Sequence, residues 1–202
     1  MAHIKFDDMD AVTENFQKKE DADKVAAECQ ERMCEVEKDD VKEKTVRPPK
    51  LYDLTTLQRE ANRMFGYTAQ QTLDAVQEMY EQKLVTYPRT DSQYLTEDME
   101  QTARNVVRQI YEKYQLTGPF DQPEQPDVKK VMNNSKVTDH HAIIPTMELA
   151  SSHLDELKSW EEKILFLIAV QTVMAMSKDH IYQETEIEVE CQGEIFKAKG
   201  RT

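Results

Sequence analysis

The sequence predicts an α+β fold, mainly helical in its middle and β-rich at its ends. Three observations carry that expectation. Apolar residues recur at helical spacing in several stretches between Thr55 and Met176. Capping residues and a stop signal bound most of those stretches. Near the C-terminus Glu186, Glu188 and Glu190 alternate with Ile187, Val189 and Cys191, and Gln192-Gly193 then turns the chain into Ile195–Ala198 as a hairpin.

In chain order, Ala22–Gln30 is a short helical candidate behind Glu20 and Asp21. Arg32–Val46, with Met33, Val36 and Val41 apolar, reads as strand and turn, and Pro48-Pro49 stops regular structure. The N-terminal region is otherwise strand-poor. Thr55 with Gln58 has capping-box spacing; Leu57, Ala61, Met64 and Phe65 form the stripe of the helix that follows, and Gly66 ends it. Thr68 with Gln71 repeats the box, and Leu73, Val76, Tyr80 and Leu84 share one face. A further helix starts after Thr96, where Glu97 and Asp98 suit the helix dipole; Met99, Ala103, Val106, Ile110 and Tyr114 are its core side. Gly118-Pro119, Pro123 and Pro126 mark a loop. The last helix runs from about Leu154 to Met176, with Leu157, Trp160, Ile164, Leu167, Ile168, Gln171 and Met174 on its stripe.

The 202 residues suffice for one or two domains with a buried core. The longest apolar run, around Ile164–Val170, is far short of the roughly 20 residues that span a bilayer, and no secretory leader opens the chain. Cys29, Cys34 and Cys191 make no zinc pattern and read as reduced, packed thiols, so a cytoplasmic location is expected. The net charge of −13 taken alone argues against a nucleic-acid partner. That charge is uneven. Residues 1–43 hold seven Lys/Arg against fourteen Asp/Glu, whereas in Lys44–Arg63 five cations face only Asp53 and Glu60.

Three segments could carry chemistry. In Leu84-Val85-Thr86-Tyr87-Pro88-Arg89-Thr90-Asp91-Ser92, Pro88 biases Tyr87 toward an extended backbone. Tyr87, Arg89 and Asp91 then fall on one side, where Asp91 could orient Arg89 through a bidentate pair. A phenol beside a planar cation suits attack on a phosphate, because the cation neutralises the phosphoryl oxygens. By itself the segment reads first as a surface turn with a structural ion pair. In Asp139-His140-His141-Ala142-Ile143-Ile144-Pro145-Thr146 the adjacent histidines make a poor metal chelate, but one His can donate to a phosphate. Taken alone it reads first as a packed His pair beside an apolar strand. The third segment, Pro48-Pro49-Lys50-Leu51-Tyr52-Asp53-Leu54-Thr55-Thr56-Leu57-Gln58, leads into a helix N-terminus, a ready phosphate contact.

In combination and order, Thr86–Ser92 resembles the active-site signature of type IA DNA topoisomerases. Tyr52–Asn62 and Asp139–Thr146 resemble flanking motifs of the topoisomerase III branch. The strong resemblance covers about Arg47–Thr146, and a looser one continues to Thr202. It implies an enzyme that cleaves one DNA strand through a 5′-phosphotyrosine intermediate and religates it without ATP. By motif position Tyr87 is the nucleophile, Arg89 the cation at the scissile phosphate and His140 a phosphate contact. Asp91, Ser92, Gln58 and Gln171 are further candidate DNA contacts, Gln171 standing where many members carry arginine. The implied architecture is a mainly helical, winged-helix-like lifting domain, residues 47–182, inserted into a β-rich arch domain made of residues 1–46 and 183–202.

The resemblance also implies what is missing. The family's metal-binding toprim domain has no counterpart here, since Asp21 and Asp23 open a helix instead of following a buried strand. The chain is therefore expected to be a fragment that binds no cofactor, with Mg2+ used by the full-length enzyme through that domain. The partners implied are single-stranded DNA and the remaining domains of the parent, with no membrane, in a bacterial, nucleoid-associated setting. The alternative is a stand-alone single-stranded DNA-binding or protein-interaction module derived from the same fold.

Overall fold

The structure, a computed structural model, describes every residue except 7–8, 31 and 117–125. Gly118, Pro119 and Pro123, the centre of the loop expected there, lie outside the described residues. The fold is α+β and divides into two compact units, Arg47–Asp179 and the pair of segments Met1–Val46 and His180–Thr202.

The β unit is one antiparallel sheet in the order β1-β2-β5-β4-β3, made of β1 (His3–Phe6), β2 (Met9–Val12), β3 (Glu35–Val46), β4 (His180–Cys191) and β5 (Glu194–Arg201). Glu184, Glu186 and Glu188 of β4 stand opposite Arg201, Lys199 and Lys197 of β5, and the Lys199–Glu186 and Lys197–Glu188 pairs close to 3.3 and 3.2 Å. The intervening positions carry the small core, in which Val189, Cys191, Phe196 and Ala198 are buried. Gln192 and Gly193 both take positive φ, 54° and 84°, as a two-residue hairpin turn requires. The helix α1 (Lys19–Cys29) buries Ala22 and Cys29 in this core. Sequence reading missed β1 and β2. Four-residue strands such as His-Ile-Lys-Phe show too little alternation to stand out, and only pairing with each other and with β5 defines them.

The helical unit packs α2 (Leu54–Phe65), α3 (Ala69–Glu81), α4 (Glu100–Tyr114) and α5 (Ser159–Ala175) around Leu57, Met79, Ile110, Ile143, Leu149, Ile164 and Ile168, all almost fully buried. The cap of α2 is Asp53, not Thr55. Its carboxylate accepts from Thr56 N–H at 2.7 Å while the Thr56 hydroxyl accepts from Asp53 N–H. Gly66 closes the helix in the left-handed region, φ 71°, and Thr68 and Gln71 form the expected box on α3. α4 follows a 3-10 turn at Glu97–Met99.

Two buried faces differ from the expected stripes. In α3 the core side is Thr72, Ala75, Val76 and Met79, leaving Tyr80 exposed. In α5, which begins at Ser159 instead of Leu154, it is Ile164, Leu165, Ile168, Ala169, Thr172 and Val173, with Phe166 and Met174 exposed. α5 is apolar almost all round, so periodicity cannot choose a face; packing against α2, α3 and α4 does. Among the described residues no helix is long and apolar enough to cross a membrane.

Candidate functional site

The three motif segments converge within the helical unit, and two threonines do most of the joining. As α3 ends, Val85 is buried and bridges to Pro145. The Thr86 hydroxyl donates to the Ala142 carbonyl and accepts from Ile144 N–H, both at 3.0 Å, while Thr86 N–H donates to the Ile144 carbonyl. Four residues on, the Thr90 hydroxyl donates to the His140 carbonyl at 2.9 Å. The Thr90 carbonyl accepts from Leu54 N–H at the start of α2, and Ile143 N–H donates to the Tyr52 carbonyl. Thr86 and Thr90 thus clamp both ends of Tyr87-Pro88-Arg89 onto the downstream segment. β-Branched threonine suits an extended chain, and its hydroxyl satisfies backbone groups that would otherwise be buried without partners.

This clamp sets Tyr87 against His140. Their ring centroids lie 4.2 Å apart with planes inclined at 42°. Tyr80 also packs on Tyr87, edge-on, with ring centroids 5.4 Å apart. Pro88 is buried, Tyr87 half-buried, and His140 and Arg89 are exposed. A phenol, an imidazole and a guanidinium therefore meet solvent on one short stretch of surface.

Other predicted site residues sit differently. Arg89 makes no ion pair with Asp91 among the described residues; both side chains are exposed, and the anchored residue between them is Thr90. Ser92 is buried, and its hydroxyl donates to the Lys136 carbonyl at 2.8 Å and accepts from Tyr94 N–H, so it orders backbone inside the protein. Gln58 donates to the Ala69 carbonyl and ties α2 to the start of α3. Gln171 donates to the Lys50 carbonyl at 2.6 Å. His141 lies half-buried with Nδ1 2.9 Å from the Ala142 carbonyl. Sequence reasoning missed Thr86 and Thr90 as positioning residues. The available signal was their i, i+4 placement around Tyr-Pro-Arg, with a hydroxyl at each end of a turn.

Burial pushes the Tyr52 phenol up to about 12, so it stays neutral in the core. Cys29 and Cys191 are buried together in the β unit, the Cys29 thiol donating to the Cys191 carbonyl at 3.4 Å. Desolvation, followed by the hydrogen bond with Cys191, raises Cys29 to about 12 and Cys34 to about 11. Among the described residues no three His, Cys, Asp or Glu side chains converge to hold a metal ion.

A sequence model of a family described as DNA topoisomerase matches residues 3–202. DNA topoisomerase 3 of Bacillus subtilis is 41% identical over 157 residues, covering 76% of this chain and 21% of that protein. The Shouchella clausii protein of the same name is 38% identical over 187 residues, 88% of this chain and 25% of its own length. The chain spans about a fifth to a quarter of the curated relatives it matches. The solved full-length topoisomerase I from Thermotoga maritima superposes on 99% of this chain and 33% of its own, with a TM-score of 0.71 and 24% identity, which supports the fold.

Proposed function

The chain belongs to the DNA topoisomerase family, and on that premise we propose that it supplies the nucleophile-bearing part of a type IA DNA topoisomerase of the topoisomerase III branch. The observation that carries the reading is the packing of Tyr87 on His140 at 4.2 Å, beside an exposed Arg89 with no carboxylate partner among the described residues.

The step is a transesterification on single-stranded DNA. The Tyr87 phenolic oxygen attacks a backbone phosphorus, the new O–P bond forms and the P–O3′ bond breaks. The phenol proton leaves to a base, and the 3′ oxygen departs as a hydroxyl after taking up a proton. The strand stays attached through its 5′ phosphate, and attack by the 3′ hydroxyl reverses the reaction. Phosphodiester bonds are conserved, so no ATP is needed. Arg89 holds the non-bridging oxygens as charge builds on them, and His140 donates a hydrogen bond to the same phosphate while packing against the phenol ring. A free phenol has a pKa near 10, so attack requires a proton acceptor and stabilised charge. Those further groups, with the Mg2+ site of a toprim domain, belong in this reading to the remaining domains of the parent. The helical unit serves as a lifting, winged-helix-like domain and the β unit as two pieces of an arch. A cytoplasmic, DNA-associated location follows from the substrate.

The test is complementation. This chain is mixed with the toprim-bearing half of a relative, Mg2+ and end-labelled single-stranded DNA, and covalent adducts are resolved under denaturing conditions. The expected result is an adduct carrying the DNA 5′ end on this chain, absent in Tyr87→Phe and formed about 10²- to 10³-fold more slowly in Arg89→Ala. An adduct that survives Tyr87→Phe would refute the assignment.

A further inference from the structure

A second feature of the helical unit is untouched by this chemistry. Arg47, Lys50, Gln93, Tyr94, Lys130 and Asp179 line a surface cleft of about 450 Å3, within the range of small-ligand sites. Lys130 is neutralised there by Asp179 at 2.6 Å and Asp127 at 3.6 Å. Arg47 and Lys50 are not, and neither is Lys136 nearby; none of the three has a carboxylate partner among the described residues. In a chain of net charge −13, that is a local surplus of positive charge. It surrounds one half-buried aromatic ring. The Lys136 ammonium lies 4.8 Å and the Lys50 ammonium 5.5 Å from the Tyr94 ring centroid.

The arrangement is built, not incidental. The buried Ser92 hydroxyl accepts from Tyr94 N–H and donates to the Lys136 carbonyl, fixing both main chains at once. Ala142 N–H donates to the Tyr94 carbonyl at 2.9 Å, and Gln171 holds the Lys50 carbonyl. Pro48-Pro49 stiffens the approach to Lys50. Ser92 and Gln171 thus act on this cleft through its backbone. Cations that track a phosphate chain, with an aromatic face for an unstacked base, are the two parts of a sequence-tolerant single-strand site.

We propose that Arg47, Lys50 and Lys136, arranged around Tyr94, form a second contact for single-stranded DNA, the cations holding phosphates and the Tyr94 ring stacking on one base. The site rests on the DNA reading above and extends it. Tyr94 follows Tyr87 by seven positions, at most about 25 Å of chain, so one strand can reach both sites. On binding, a phosphate replaces the ring as partner of the Lys50 ammonium and frees the ring face for the base. The lowered pKa of the Tyr94 phenol, caused first by its hydrogen bond with Lys136 and then by Lys50, fits a ring set in positive potential.

The experiment uses the 202-residue chain and two dye-labelled 12-nucleotide strands, oligothymidylate and an abasic strand of equal length, followed by fluorescence anisotropy between 25 and 200 mM NaCl. The double variant Lys50→Gln/Lys136→Gln should weaken both strands about tenfold at low salt. It should also flatten the log–log salt dependence by about 1.4, from about 0.7 per phosphate contact. Tyr94→Ala should weaken oligothymidylate fivefold or more and leave the abasic strand within twofold. Tyr94→Phe should bind oligothymidylate within about twofold of wild type, and covers the case in which the alanine variant misfolds. Binding by the lysine variant equal to wild type, equal losses of Tyr94→Ala on both strands, or no wild-type binding at 25 mM salt overturns the proposal. Arg89→Ala measured alongside separates the readings: loss there with none in the lysine variant leaves the Tyr87 assignment standing and removes this site.

Discussion

Replacing Thr86 by valine keeps the β-branched shape and deletes one hydroxyl, which makes it a sharp probe of how the motif segments are joined. Two consequences follow from the contacts. The Ile144 N–H loses its only partner among the described residues, inside a residue 1% exposed, and a buried unsatisfied donor costs about 1–3 kcal/mol. The Ala142 carbonyl loses one bond of about 1 kcal/mol but keeps its approach to His141 Nδ1. The expected loss is about 2–4 kcal/mol. For a unit of about 130 residues, with an unfolding entropy near 2.1 cal/mol/K per residue, that lowers Tm by about 7–15 °C. Calorimetry of wild type, Thr86→Val and Thr86→Ser measures it. The serine variant restores the hydroxyl and should recover most of the loss. A valine variant melting within about 2 °C of wild type, or a serine variant equally damaged, would refute the view that this hydroxyl holds the segments together.

Three further expectations concern stability and reactivity. Asp53→Ala removes the α2 cap and should cost about 1 kcal/mol in urea denaturation, with no change in m; an unchanged midpoint would mean Thr56 caps unaided. Burial raises the Tyr52 phenol from 10 to about 12, so the unfolded chain gives up that proton first. The contribution is complete below pH 10 and lost between pH 10 and about 12, at up to about 1.4 kcal/mol per pH unit; Tyr52→Phe should make denaturation midpoints fall less steeply in that window. The raised thiols of Cys29 and Cys34 should react slowly with a thiol reagent at pH 8 in the folded chain, and all three cysteines rapidly in denaturant. Fast stoichiometric labelling of the native chain would contradict that packing.

Local signals in the sequence were reliable where one residue does one local job. Thr68 with Gln71, Gly66 and the Gln192-Gly193 turn each satisfy a backbone need within a few residues, so they can be read without knowing any neighbour. The alternation of β4 was legible because each face meets one environment, lysines on one side and Phe196 on the other. Asp53 took the place of Thr55 as the cap, since the Asp53/Thr56 and Thr55/Gln58 spacings overlap and the sequence alone does not rank them. In α5 and α3 the buried face depended on which helices came alongside.

The candidate site divides the same way. The sequence by itself nominated the candidate groups Tyr87, Arg89 and His140, through their chemistry and by motif order. Only the tertiary structure decided their company. It set His140 beside Tyr87 across 53 residues of chain, left Arg89 without an ion pair among the described residues, turned Ser92 inward and drew Lys50 and Lys136 to Tyr94. The physical reason is range. Caps and turns are settled by bonds between near neighbours, whereas these meetings depend on hydroxyl-to-backbone bonds from Thr86, Thr90 and Ser92, whose partners the folded core alone brings within 3 Å.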